Sequence, residues 1–330
     1  MSSEYRVLIT DRPWGDSDIE QEILADVGAR VVEAPDSDEA TLIEAARDCD
    51  AIATCWARVT AAVIQSAERC RHVARTGIGL DNIAVDEATR RGIPVTNVPD
   101  YCVSEVSDHA LALLLACARN IGFFHRRAKQ GEYDLAAAGP MRRLPGCTLG
   151  LVGLGRTARE LVPKARALGL TVIATTLSGN DYGTGCRMVS FEEVLEQSDF
   201  ISVHAPLTDA TRHLFDARAF ARMKPSAYLI NTARGGLIDE SALWDALQAN
   251  QIAGAGLDVF DPEPPDLEQP LFRDERVIVT PHAAFVSREA VVELRQRVAR
   301  QIAAVLSGER PPNVVNPEIY DDHAAHGGGN

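Results

Sequence analysis

The hydrophobic positions of the first hundred residues follow one rhythm: a short β-branched run, a turn, then a segment with apolar residues at helical spacing. Strands are expected over Arg6–Thr10, Val31–Glu33, Ala51–Ala53, His72–Arg75 and Pro94–Asn97, with helices over Asp18–Val27, Glu39–Arg47, Thr60–Ser66 and Asp86–Arg90 between them. Alternation of this kind builds a parallel sheet with helices on both faces. A long helix from Ser104 to about Lys129 and a polar, glycine-containing stretch from Gln130 to Gly146 interrupt the rhythm. It resumes with strand Thr148–Val152, a glycine turn, helix Thr157–Leu168 and strand Thr171–Thr175. Strands Phe200–His204, Ala227–Asn231, Gly254–Val259 and Val277–Thr280 follow, with helices Phe191–Gln197, Asp216–Met223 and Asp239–Ala249 among them. One more helix is expected over Glu289–Ser307, and the segment from Asp321 to Asn330 has too little to bury to hold a fixed structure.

The pattern reads as two α/β units, with a nucleotide-binding core at 101–287 and the flanks 1–100 and 288–330 as the other domain. Composition narrows the partners. A chain of 330 residues that is 46% hydrophobic can fill two cores, and a formal charge of −14 repels nucleic acid and anionic membrane, although a local basic patch could still steer an anion. The most apolar run, His109–Ala118, is too short to cross a bilayer. Seven cysteines (Cys49, Cys55, Cys70, Cys102, Cys117, Cys147 and Cys186) stand singly, so no thiolate metal site is expected. Their odd number, and a start without an apolar secretion segment, point to the cytoplasm.

Chemistry first shows in Gly153-Leu154-Gly155-Arg156-Thr157-Ala158, directly after a strand and opening a helix. Gly153 permits the tight turn, Gly155 lets a pyrophosphate approach the helix amides, and Ala158 stands where helix and strand must pack closely. The string alone is weak evidence; its strand and helix flanks make dinucleotide binding the better reading than an ordinary βα turn. The carboxylate expected some 20 residues on, for the adenine-ribose hydroxyls, is replaced by Thr176. No lysine or arginine stands between Leu177 and Cys186, and Arg187 is the first basic residue after the strand. NAD is the first expectation and NADP stays open.

Three further segments end strands: INTARGGLIDE with Arg234, GLDVFDPEPP with Glu263, and VIVTPHAAF with His282. Ligands collect at this edge of an open parallel sheet. Reducing a 2-oxo acid needs a hydride donor facing C2, a cation on the carboxylate and carbonyl, and a proton for the developing alkoxide. Arg234 offers a planar fork, and a histidine, which titrates near neutral pH, can exchange the proton at His282. Glu263 can bond the far ring nitrogen and favour imidazolium. Taken singly, each has a plain structural reading: a surface cap, a solvated loop acid, a satisfied core histidine.

With these residues in view, the chain resembles the D-isomer-specific 2-hydroxyacid dehydrogenase family over residues 5–317, on TLGLVGLGRTA, ISVHAPLT, INTARGGLIDE, GLDVFDPEP and VTPHAA together. RTGIGLDNI, VPDYCVSEVSDHALALLL and TPHAAF are similar to the branch that holds the C-terminal-binding-protein corepressors and their bacterial relatives. The resemblance implies two Rossmann-like domains with parallel sheets, a flavodoxin-like substrate domain and an inserted dinucleotide-binding domain. It puts the catalytic trio on Arg234, Glu263 and His282, and the substrate carboxylate on the N–H groups of Ile78 and Gly79, with Arg58, Tyr101 and Phe285 as further pocket residues. Phe285 suits an apolar or aromatic substituent on the acid.

The nicotinamide side would be lined by Thr76, Val106, Thr232, Ala233, Asp258, His282 and Ala284, with the carboxamide on Asp258. His204, Ala205, Pro206 and Leu207 would border adenine and ribose, and Thr211 the phosphates. A homodimer through the cofactor domains is implied, with Tyr133–Leu144 reaching the partner. Two departures stand out: Thr176, and a loop to Val189 shorter than usual, without a helix beside the adenine. Two alternatives stay in view: a dinucleotide-sensing corepressor-like protein, and a dehydrogenase for another small anion such as formate or phosphite.

Two smaller groups of residues have plain structural readings. Glu105, Asp108 and His109 open a helix, but Asp108 and His109 point to different faces and Glu105 with His109 supplies only one i,i+4 pair, so a hydrogen-bonding role is expected rather than a metal. Trp14, Trp56 and Trp244 are too far apart for a stripe and read as packing residues, with Trp56 in reach of the substrate motif.

Overall fold

The computed structural model describes residues 5–139 and 141–321. The segment expected to lack order lies, from residue 322 on, outside the described residues. The chain forms two compact units, Met1–Tyr101 with Ser287–Asn330, and Cys102–Val286.

The first unit alternates β1 (Tyr5–Ile9), α1 (Asp18–Ala25), β2 (Ala29–Glu33), α2 (Glu39–Ala46), β3 (Ala51–Thr54), α3 (Ala61–Ser66), β4 (Val73–Arg75), α4 (Val85–Arg90) and β5 (Val95–Thr96). The strands are parallel in the order β2-β1-β3-β4-β5, the flavodoxin-like arrangement. Leu8, Ile52, Val73 and Val95 meet Leu42, Val63 and Ile64 from the helices in its core. Burying each such side chain contributes about 1.5–3 kcal/mol. The chain's last helix, α12 (Arg288–Leu306), lies on α1, where buried Arg295 donates to both oxygens of Glu20 at 2.9 and 2.7 Å and to Asp16 at 2.8 Å.

The second unit opens with α5 (Val103–Ala118) and α6 (Ile121–Lys129) where one long helix was expected. Asn120 breaks it with φ of +50°, a left-handed conformation that asparagine tolerates better than most residues and that leaves no sign in the hydrophobic pattern. The unit continues through β6 (Thr148–Val152), α7 (Arg156–Ala167), β7 (Thr171–Thr175), β8 (Arg187–Met188), α8 (Phe191–Gln197), β9 (Phe200–Val203), α9 (Ala217–Arg222), β10 (Tyr228–Asn231), α10 (Glu240–Gln248), β11 (Gly254–Leu257), α11 (Pro270–Arg273) and β12 (Val277–Val279). β8 and α11 went unread because two and four residues are too few to show a period. All seven strands are parallel, in the order β12-β11-β10-β9-β6-β7-β8. One core fills each face: Leu113, Leu161 and Ala165 with Leu149 and Leu151 on one side, and Val194, Phe220 and Leu243 with Ile201 and Leu229 on the other.

Candidate active site

The register across the second sheet puts Val152, Val203, Asn231, Leu257 and Val279 in one row. The next residues, Gly153, His204, Thr232, Asp258 and Thr280, step off the ladder together, which is why three of these strands stop earlier than their hydrophobic runs suggested. β6 lies between β9 and β7, so the connections leaving it and β9 diverge and open a crevice at this edge.

Gly153 has φ of +92°, and a Cβ there would come within 2.7 Å of the His204 carbonyl, so only glycine fits. At Gly155 a Cβ would meet nothing within 4 Å, and α7 begins there without a side-chain cap. Open space before an uncapped helix start suits a pyrophosphate. Leu154 and Ala158 are buried beneath it, while Arg156 is exposed and Thr157 half-buried. The Thr232 hydroxyl is buried with no hydrogen-bond partner among the described residues, a vacant donor where the nicotinamide is expected. Val106, on the first turn of α5, and Ala233 are half-buried. These features fit a dinucleotide.

Burial pushes the His204 imidazole down to about 4, so it is neutral at physiological pH, with Nε2 2.9 Å from the Ser202 hydroxyl. Ala205, Pro206 and Leu207 continue from it, and Thr211 closes their turn by donating to the Pro206 carbonyl at 2.7 Å and accepting from Thr208 N at 2.8 Å. Beyond β7, hydroxyls replace the usual carboxylate. Thr176 Oγ1 lies 3.4 Å from Ser178 Oγ, which lies 3.4 Å from the Tyr182 hydroxyl. Asp181 spends its oxygens on Gly183 N and Gly185 N of its own loop. Arg187 pairs with Gln197. A cation does stand at this loop, but it comes from α7: the Arg159 guanidinium lies 5.3 Å over the Tyr182 ring. Sequence reasoning missed it by searching only downstream of the strand.

β10, β11 and β12 are neighbours, so the chain segments carrying Arg234, Glu263 and His282 leave from three adjacent strands that span about 10 Å at the usual spacing. Glu263 Oε1 accepts from Phe260 N at 2.9 Å and Oε2 lies 2.7 Å from His282 Nδ1. An ionised carboxylate only accepts, so Nδ1 carries a proton and the neutral ring is left with Nε2 as its basic nitrogen. The pair was expected, and its geometry is here. His282 sits at φ of +51°. What holds it there is Asp258: its carbonyl accepts from His282 N at 2.8 Å, and its fully buried carboxylate accepts from Ala283 N and Ala284 N, both at 2.9 Å, and from the Thr280 hydroxyl at 2.5 Å. His109 Nε2 lies 3.0 Å from that hydroxyl, and Asp108 pairs with Lys164 at 2.7 Å. Asp258 thus folds the turn that carries the histidine. The Phe285 ring meets His282 edge-on at 6.2 Å.

Arg234 follows buried Asn231, whose side chain donates to the Arg234 carbonyl at 2.9 Å and accepts from Ala233 N at 3.0 Å. Arg234 Nη1 donates to the Ala233 carbonyl at 2.7 Å. Gly235 makes the exit possible, since a Cβ there would come 2.0 Å from the Phe260 carbonyl carbon. Asn231 was not picked from the sequence; a buried amide ending an apolar strand is the signal that could have found it.

The first unit carries the remaining predicted residues. Thr76, Ile78 and Gly79 form the turn after β4, and Arg58 is exposed on the loop after β3, the adjacent strand. Asp11 holds that loop by accepting from Cys55 N at 2.9 Å and Trp56 N at 2.7 Å. Tyr101 is buried at the end of the segment. Trp56 is 42% exposed, and Trp14 lies 5.3 Å from the Arg295 guanidinium. Trp244 packs against the core of the second unit.

An uncapped glycine turn at the switch point of a doubly wound sheet, beside an arginine and a glutamate-paired histidine, defines a dinucleotide-linked oxidoreductase for an anionic substrate. Residues 111–284 match the family described as D-isomer specific 2-hydroxyacid dehydrogenase, NAD binding domain. The chain is 40% identical over 295 residues to a glyoxylate reductase of Korarchaeum cryptofilum, covering 87% of this chain and 88% of that one. Among solved structures it is similar to a D-lactate dehydrogenase of Aquifex aeolicus complexed with NAD and lactic acid, at a TM-score of 0.83 and 27% identity, covering 92% and 96% of the two chains. It is also similar to an acyclic imino acid reductase in complex with NADPH and D-Arg, at a TM-score of 0.83 and 27% identity, covering 94% and 99%. The chain belongs to the D-isomer-specific 2-hydroxyacid dehydrogenase family and is an NAD(P)-dependent oxidoreductase. These matches establish the family; they do not assign the chain to the corepressor branch.

Proposed function

We propose that this protein reduces a small 2-oxo acid at C2 to the D-2-hydroxy acid, and runs the reverse oxidation, with glyoxylate as its first candidate substrate. The observation that carries the reading is the 2.7 Å Glu263–His282 pair, whose members leave the strand edge one and two strands from Arg234. A bound nicotinamide dinucleotide supplies the hydride. Arg234 grips the substrate carboxylate and carbonyl oxygens, and the Ile78 and Gly79 amides take the carboxylate. His282 Nε2 gives its proton to the oxygen that becomes the hydroxyl, while Glu263 stabilises the imidazolium before transfer and keeps the ring oriented after it. Thr76, Val106, Thr232, Ala233 and Ala284 bound the nicotinamide, Arg58 and Tyr101 complete the pocket, and Phe285 tolerates an apolar substituent on the acid. Asp258 would offer its remaining acceptor capacity to the carboxamide of a bound nicotinamide.

The test is a panel of 2-oxo acids, glyoxylate first, with NADH and with NADPH, followed through the absorbance of the reduced nicotinamide. Turnover of at least one acid is expected; no turnover of any with either cofactor would overturn the reading. Thr176→Asp is expected to tighten NADH and weaken NADPH, since a carboxylate grips the ribose hydroxyls and repels a 2′-phosphate. A change of about tenfold in the ratio of the two dissociation constants is anticipated from one charge-assisted contact. A titration in which the ratio stays the same would reject the placement of the ribose.

We also propose a cytoplasmic homodimer formed through the second unit. Tyr133 and Leu135 stand fully out in solvent, as does most of Ile121, an apolar exposure that favours a covering partner. All seven cysteines are buried thiols outside any disulfide, as a reducing compartment allows. No helix among the described residues is long and apolar enough to cross a membrane. Light scattering should give twice the chain mass, and Tyr133→Asp with Leu135→Asp should shift it to the chain mass; a wild-type monomer would refute the dimer.

A further inference from the structure

Arg75, the last residue of β4, is a buried cation with no counter-ion among the described residues. It is 7% exposed, and its guanidinium donates to the carbonyl oxygens of Gly79 at 2.8 Å, Thr76 at 2.5 Å and Thr54 at 3.4 Å and lies beside the Cys55 thiol. Asp11, an acid on the neighbouring loop, is spent on Cys55 N, Trp56 N and the Thr10 hydroxyl. Among the described residues no carboxylate forms an ion pair with Arg75. A charge taken from water is costly, and carbonyl dipoles return only part of what an anion would.

The turn that Arg75 braces has an unusual hydrogen-bond balance. Every carbonyl from Thr76 to Gly79 has a donor: Arg75 serves Thr76 and Gly79, Val98 N serves Gly77 at 3.0 Å, and Asn97 Nδ2 serves Ile78 at 2.8 Å. The amides of Gly77, Ile78 and Gly79 donate to nothing among the described residues. Gly77 is buried, Gly79 half-buried and Ile78 exposed, and three successive amides with no acceptor in their own turn suit an anion. Gly77, at φ of +153°, lets the guanidinium close up, since a Cβ there would come 2.7 Å from Arg75 Nη1.

We infer that Arg75 is a positioning residue for the substrate carboxylate. By pinning both ends of the turn through their carbonyls it aims the Ile78 and Gly79 amides outward, and its buried charge makes that seat attract a carboxylate. The inference deepens the proposed function and rests on that reading for the identity of the anion. It assigns the preference for an acid over its ester or amide partly to a residue that never touches the substrate.

The test uses the intact protein with its dinucleotide. Arg75→Met is expected to raise both the KM for glyoxylate and the inhibition constant of oxamate by about 30-fold, in line with the loss of a charge-assisted interaction. kcat and the dinucleotide dissociation constant should stay within about threefold, because neither depends on this seat. Arg75→Lys should fall between, keeping the charge but losing the fork. Asn97→Ala, which frees only the Ile78 carbonyl, should raise KM about threefold and keeps the inference testable if Arg75→Met does not fold. Unchanged KM and oxamate binding in folded Arg75→Met, or in Asn97→Ala if that variant alone folds, would overturn it. So would equal weakening of acid and dinucleotide together with a fall in Tm. If wild-type protein reduces no 2-oxo acid, the enclosing reading fails by itself, and calorimetry with oxamate still decides whether Arg75 governs an anion seat.

Discussion

His282→Ala is expected to lower kcat for 2-oxo acid reduction by about 10²–10⁴-fold, the usual worth of a positioned general acid. The KM for the dinucleotide should change little. In the wild type, reduction consumes a proton held by His282, so the rate should have a limb that falls at high pH; in the variant that limb should vanish. A variant that keeps the limb would remove His282 from the proton path. Glu263→Gln should be milder, because glutamine can still accept from Nδ1 and hold the tautomer but no longer balances the imidazolium charge. Asp258→Asn should act through the same histidine, since its carboxylate gathers the Ala283 and Ala284 amides and the Thr280 hydroxyl that shape the turn.

Arg234→Ala should lower kcat/KM by about 10²–10³-fold, since two charge-assisted bonds to the substrate oxygens are lost together. Both kcat and KM should suffer, because the contact to the carbonyl oxygen strengthens as that oxygen gains charge. Arg234→Lys should recover only a fraction, as an ammonium keeps the charge and loses the planar fork. Steady-state kinetics on both variants check this, and an unchanged kcat/KM in Arg234→Ala would refute the clamp.

Much of this site could be read from the sequence because its chemistry lies one to six residues past strand ends. An apolar run that stops at Gly153, Thr232, Asp258 or Thr280 marks the edge of a parallel sheet, and the functional side chains follow at once. Gly153 was legible for the same reason, as it lets backbone approach backbone more closely than a Cβ permits. What stayed hidden depends on contacts between distant residues. Arg75 reads as the polar end of a short strand until the carbonyls of Thr76 and Gly79 are seen around it. Arg159 belongs to a helix whose link with Tyr182 spans 23 positions, since the loop after β7 folds back over α7. The break at Asn120 is a backbone event in a stretch whose apolar periodicity runs on unbroken.

The central claim, that hydride goes to C2 of a 2-oxo acid on the face that yields the D-isomer, is tested most directly by product analysis after reduction of pyruvate or hydroxypyruvate. The dinucleotide would carry deuterium on the transferred position of its nicotinamide C4. The account predicts a D-2-hydroxy acid with one deuterium at C2. An L-product, a racemate, or a product without deuterium at C2 would contradict it.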